Sequence, residues 1–143
     1  MTTDKHLGLA ISYASISHVD QFDKGGKAYI LHPIRVMQSL SQESIQVQMV
    51  AILHDVVEDT STTVEHIEKA FGKEIADAID AISRRDGEVY MDYIKRCKLN
   101  PIAKLVKIAD LQDNMSKERV EQLPESERGV VKRYEKALAE MLA

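Results

Sequence analysis

Apolar residues recur at helical spacing along nearly the whole chain, and this period constrains its fold more than any other feature. Leu7, Ala10, Ile11 and Ala14 mark a first helix over about 4–19. A loop over 20–29 follows, with paired Gly25 and Gly26. Pro33 suits the first turn of a second helix running to about residue 40. Residues 45 to about 57 are so densely apolar that they resemble a strand, but their length favours a buried helix. Thr62 and Glu65 fit a capping box opening a short helix that stops at Gly72. Ile75, Ala78, Ile79 and Ile82 make the next stripe, and a polar break over 84–88 separates it from a helix over 89–98. Asn100 caps, and Pro101 starts, a helix carrying Ile102, Leu105, Ile108 and Ala109. The last helix is expected over about 125–142. Three prolines and six glycines are few for an all-β domain. The expectation is a compact all-α fold of about seven or eight helices, one domain over 1–143, without repeat or linker.

Several function classes fall away on composition. Nineteen basic and 23 acidic residues give a net charge of −4, which argues against nucleic acid as a partner while allowing a local basic pocket. The single cysteine, Cys97, has no partner for an internal disulfide and no CxxC companion. No run of 18 apolar residues predicts a membrane span, and the N-terminus lacks the pattern of a signal peptide. The chain therefore reads as cytoplasmic. No oligomer signature is legible; a homo-oligomer stays open.

The segment Ala51-Ile-Leu-His-Asp-Val-Val-Glu-Asp-Thr60 concentrates the chemistry. His54, Asp55, Glu58 and Asp59 end a very apolar helix, and their i,i+3 and i,i+4 spacings put them on one side of it. Burying that many acids is costly unless a cation or hydrogen bonds offset the charge. A divalent metal is the economical answer. Two other segments supply further ligands: His32, ahead of Pro33 at a loop-to-helix junction, and Asp110, on an apolar helix with Asn114 one turn later. Each alone has a bland reading, as a core histidine or a surface acid. Together they make a His, His-Asp, Asp set.

That set, in that order, resembles the HD superfamily of metal-dependent phosphohydrolases. The stretch from His18 to Pro33, then ILHDVVEDT, then KIADLQDNM, is similar to the hydrolase domain of the RelA/SpoT enzymes, and most of all to the stand-alone small alarmone hydrolases of the Mesh type. The likeness covers about residues 5–118. It implies hydrolysis of guanosine tetra- and pentaphosphate with release of the 3′-pyrophosphate, usually with Mn²⁺. It assigns His32, His54, Asp55 and Asp110 as metal ligands and Glu58 and Asp59 as the acidic pair acting on the attacking water. Lys24 then lies near the phosphates and Asn114 near the nucleotide sugar.

The chemistry is consistent with these roles. A mixed imidazole–carboxylate set suits Mn, Fe or Zn better than Ca, and Glu58 or Asp59 is placed to take a proton. Lys24 and Lys27, on the Gly-rich loop, are the nearest cations for phosphate; Lys107, one turn before Asp110, is another. Asp23 departs from the pattern, standing where the long relatives often carry a basic residue. Either it weakens the field of Lys24 at the substrate, or it caps the Gly25-Gly26 turn. His18 is expected to support the pocket; His6 and His66 are expected at the surface. Two other functions compete: a phosphatase of other nucleotides, such as 5′-mononucleotides or the 2′-phosphate of NADPH, and an inactive nucleotide-sensing module.

Overall fold

A computed structural model describes residues 4–143, and among them there are ten α-helical segments and no strand. They are α1 (Asp4–Ser17), α2 (Leu31–Ser39), α3 (Ile45–Leu53), α4 (Val56–Asp59), α5 (Val64–Phe71), α6 (Lys73–Ile82), α7 (Tyr90–Lys98), α8 (Pro101–Asn114), α9 (Lys117–Glu121) and α10 (Val130–Leu142). Two of these, α4 and α9, are single short turns, and a 3-10 turn at Glu125–Glu127 precedes α10. The all-α expectation holds.

The dense apolar run becomes the centre of the molecule. Val50, Ala51, Ile52 and Leu53 are fully buried, so the C-terminal half of α3 has no solvated face, and the helix packs against α1, α2, α6 and α8. Each such Ile or Leu contributes roughly 1.5–3 kcal/mol relative to exposure. Helix α8 is the second axis, touching α2, α3, α6, α7 and α10. Its start follows the sequence expectation: Asn100 Oδ1 accepts from the Ile102 and Ala103 amides, and Pro101 occupies the first turn. Because α2, α3 and α8 are mutual neighbours, the polar groups on α2 and α8 meet those at the C-terminal end of α3.

Local details differ from the sequence expectations. The helix expected over 45–57 ends at Leu53, and α4 starts anew after a turn at His54 and Asp55. Asp55 adopts φ −104°, ψ −2°, so the four polar residues do not share one continuous helix. The capping box lies one residue later than expected. Thr63 accepts from the His66 amide, and His66 Nδ1 accepts from the Thr63 amide, so His66 is a cap and Glu65 is not. Residues 125–129 are not part of the last helix, because the 3-10 turn and Gly129 delay it to Val130. The short α9, capped by Ser116, was not expected.

The 20–29 loop is pinched by one antiparallel bridge between Phe22 and Ala28. Asp23 Oδ1 accepts from the Gly25 and Lys27 amides, both at 2.9 Å, and Gly26 takes φ +82° at the tip. Of the two readings of Asp23, the turn cap is the one formed.

Candidate metal centre and its cavity

His32 enters from the first turn of α2, His54 and Asp55 from the α3–α4 break, and Asp110 from the third turn of α8. One ligand atom from each lies within 4.8 Å of all the others. His32 Nε2 is 2.8 Å from Asp110 Oδ1 and 3.7 Å from Asp55 Oδ2. His54 Nε2 is 3.1 Å from each of those oxygens. Both histidines are 2% exposed and Asp110 is 4% exposed. Two nitrogens and two carboxylate oxygens this close, away from water, need a positive charge among them.

The far nitrogens are already engaged. His54 Nδ1 is 2.6 Å from the Ala51 carbonyl, which can only accept, so Nδ1 carries the proton. His32 Nδ1 is 2.6 Å from Asp113 Oδ2. Each neutral imidazole therefore presents a lone pair at Nε2, the state that ligates a metal. The donor set fits a divalent ion of the Mn, Fe or Zn type.

The carboxylates are divided between the centre and its surroundings. Asp110 turns Oδ1 to the histidines and Oδ2 to the Lys107 ammonium at 2.9 Å. Asp55 Oδ2 also accepts from the Tyr29 hydroxyl at 2.5 Å. Burial opposes ionisation of both acids. For Asp110 the Lys107 and His54 charges outweigh it, and for Asp55 the His54 charge does, so both stay ionised well below the usual range. Burial likewise opposes charge on His54 and His32. The carboxylates overcome it, Asp55 and Asp110 for His54, chiefly Asp110 and Asp113 for His32, raising both imidazoles.

Glu58 and Asp59 stand at the opening of this centre. Partial burial pushes both upward, reinforced by the Asp55 charge; Asp59 reaches about 7. Glu58 Oε1 also accepts the Arg84 amide at 2.7 Å, which restrains its rise. A cavity of about 270 Å³ joins these acids and Asn114 to a wall that sequence reasoning did not identify. In that wall the Arg84 and Arg133 guanidiniums lie 5.3 and 4.3 Å from the Tyr90 ring centre. Among the described residues neither guanidinium pairs with a carboxylate. Lys107, considered from its spacing, is buried beside Asp110.

A neighbouring cavity of about 360 Å³ shares Tyr29, Asn114 and Tyr134 with the first and reaches Lys24. Lys24 pairs with Glu127 at 3.4 Å and Lys27 with Glu118 at 3.2 Å; Lys27 lines neither cavity. His18 is buried with its ring 5.2 Å from that of Tyr29, which lines both cavities. Cys97 is a buried thiol whose pKa is pushed up to about 12 by burial.

Comparisons with known proteins identify the family. Residues 10–141 match the HD domain family. A guanosine-3′,5′-bis(diphosphate) 3′-pyrophosphohydrolase of Aquifex aeolicus is 30% identical over 116 residues, 74% of this chain and 17% of the relative. The corresponding enzyme MESH1 of Danio rerio is 34% identical over 119 residues, covering 73% of this chain and 64% of the relative. The chain thus spans under a fifth of the Aquifex protein and just under two thirds of the zebrafish one. A solved structure described as "A metazoan ortholog of SpoT hydrolyzes ppGpp and plays a role in starvation responses" superposes with a TM-score of 0.79 at 26% identity, covering 96% of this chain and 85% of that one.

Proposed function

The chain belongs to the HD domain family, and from that premise we propose that it is a metal-dependent 3′-pyrophosphohydrolase of guanosine 3′,5′-bis(diphosphate) and its pentaphosphate. The observation that carries this reading is the convergence of four ligand atoms, both imidazole Nδ1 atoms engaged elsewhere, beside an acid pair with raised pKa. Support for the substrate comes from the relatives, whose names specify this nucleotide.

His32, His54, Asp55 and Asp110 are the ligands of a divalent cation, for which Mn²⁺ is our choice on the mixed nitrogen and oxygen donors. When bound, such a cation lowers the pKa of a water and polarises a phosphoryl oxygen. Glu58 or Asp59 would receive the proton of a water attacking the phosphorus next to the 3′ oxygen. The bond from that phosphorus to the 3′ oxygen breaks, pyrophosphate leaves, and the ribose regains a 3′-hydroxyl by taking up a proton. Arg84 and Arg133 offer uncompensated positive charge to the phosphate oxygens, the requirement in phosphoryl transfer. Asn114, shared by both cavities, faces the sugar.

Lys24, which lines the second cavity, joins the phosphate site by exchanging Glu127 for substrate. Exposed pairs of this kind are worth about 0–1 kcal/mol, so an anionic ligand displaces them readily. A nucleotide substrate and a lone buried thiol suit the cytoplasm.

The deciding experiment incubates the purified protein and Mn²⁺ with ppGpp, NADPH and 5′-mononucleotides, and follows pyrophosphate and phosphate separately. Pyrophosphate from ppGpp alone, abolished by chelator and restored by Mn²⁺ better than by Ca²⁺, is the expected result. Phosphate from the other nucleotides, or full activity in chelator, overturns the assignment.

A further inference from the structure

Helices α2 and α8 face each other through two rungs, each one turn from the next. The first rung is His32 to Asp110, at 2.8 Å. The second is Arg35 to Asp113, where Arg35 Nε meets Oδ1 at 2.9 Å and Nη2 meets Oδ2 at 3.1 Å. A diagonal joins them: His32 Nδ1 to Asp113 Oδ2 at 2.6 Å. Arg119, from α9, adds Nη1 to the same oxygen at 3.0 Å. The Asp113 side chain is 13% exposed, so this carboxylate is held largely out of water.

This arrangement does more than neutralise an acid. The two-pronged Arg35 contact fixes the plane of the carboxylate, and with it the direction in which Oδ2 meets the imidazole. Asp113 Oδ2 takes His32 Nδ1 and a nitrogen of each of two guanidiniums, so the carboxylate is held in place as the acceptor facing the imidazole. His32 is then locked as the Nδ1–H form, its Nε2 lone pair directed at the centre. His54 is oriented differently, by the neutral Ala51 carbonyl. One imidazole of the pair therefore has a charged support and the other does not.

We propose that Asp113, clamped by Arg35 and Arg119, is the positioning residue that orients and polarises His32 for metal. The inference rests on the metal-centre reading above but not on any substrate. A carboxylate behind a ligating imidazole raises its donor strength, and loss of such a partner lowers metal affinity about 10–100-fold.

The test is direct Mn²⁺ binding, followed by electron paramagnetic resonance of the free ion, in wild type, Asp113→Asn and Asp113→Glu. We expect the Kd of Asp113→Asn to rise about 10–100-fold, and Asp113→Glu to recover part of the loss while the metal-free Tm of the two variants stays alike. A folded Asp113→Asn with a Kd within about twofold of wild type overturns the proposal. Should that variant not fold, the wild-type protein still decides. With Zn²⁺ as a diamagnetic probe, long-range proton–nitrogen correlation spectra should show His32 protonated on Nδ1 with a downfield, slowly exchanging ring proton; a proton on Nε2 overturns it. Wild type that binds neither ion sinks the metal-centre reading itself, an outcome distinct from a metal-binding protein indifferent to Asp113.

Discussion

At the scale of single residues, the two oxygens of one carboxylate divide their work. Asp110 lends one oxygen to the histidines and the other to Lys107, so a single carboxylate serves the site and anchors a buried cation. Glu58 and Asp59 are separated by a similar division. The Arg84 amide occupies one oxygen of Glu58, whereas Asp59 is the acid brought to about 7. Glu58→Gln is expected to keep Mn²⁺ binding and lose turnover by about 10²–10⁴-fold, the usual scale of general acid–base catalysis. If it turns over at the wild-type rate, Asp59→Asn should carry that loss instead. The rate should rise with pH as the base ionises, with its midpoint below about 7 in the loaded enzyme, because a dication beside Asp55 favours the charged form of Asp59. A pH–rate profile of wild type and both variants checks the assignment. The cluster of His54, Asp55, Glu58 and Asp59 was legible from residue type and spacing, since a His-Asp step followed by Glu-Asp at an apolar helix end has few inexpensive explanations, whereas His32 and Asp110 became proposed ligands through the family resemblance. Asp113, Arg84 and Arg133 were not legible as site residues. Their relation to the centre runs across helices, and a surface arginine looks the same in sequence as one facing a cavity.

At the scale of elements, the connections matter more than the helices. The helical period located α1, α3, α6 and α8 because each buries a face, but the polar His54-Asp55 step at the break was not read as a helix end, because apolar Val56 and Val57 continue the pattern beyond it. That break lets Asp55 point at the centre while Val56 stays in the core. The capping box was displaced by one residue because two threonines adjoin and His66 can accept as Glu65 can. Thr63→Ala should therefore cost about 1 kcal/mol, the usual worth of an N-cap, and Thr62→Ala less, as read by denaturant midpoints. The 20–29 loop follows the same logic. Asp23 satisfies two amides of the turn, so Asp23→Arg is expected to lower Tm by a few degrees, each such bond contributing about 0.5–1.5 kcal/mol. Lys24→Ala, by contrast, should raise KM for ppGpp, and the effect should fade with salt because an exposed charge is screened within about 8–10 Å. A fall in KM for Asp23→Arg with Tm unchanged would show that its charge, and not its capping, faces the substrate.

At the scale of the whole molecule, the charges gathered at the proposed centre make stability depend on pH when no cation is bound. Asp55, Asp110 and Asp113 have folded pKa values below the ordinary 3.8. They stabilise the fold above that value, and the contribution is lost as pH falls through their folded values. His32 and His54 have folded values above the ordinary 6.5. Their contribution is complete below 6.5 and is lost as pH rises through the folded values. Glu58 and Asp59 act in the same direction, because raised acids weaken the fold once they ionise; for Asp59 the penalty grows from 3.8 to about 7. Metal-free protein should therefore be most stable at about pH 4 and weaken toward pH 8. Bound Mn²⁺ replaces the imidazole protons as the compensating charge, and its binding strengthens as those protons leave. At a free ion concentration of 100 Kd the gain is about 2.7 kcal/mol, on the order of 10 °C for a chain of this size. The expected result is a gap in Tm between Mn²⁺-loaded and chelated protein that is small at pH 5 and widens through pH 8. A gap independent of pH, or one that narrows as pH rises, means that protons and metal do not compete for the same centre.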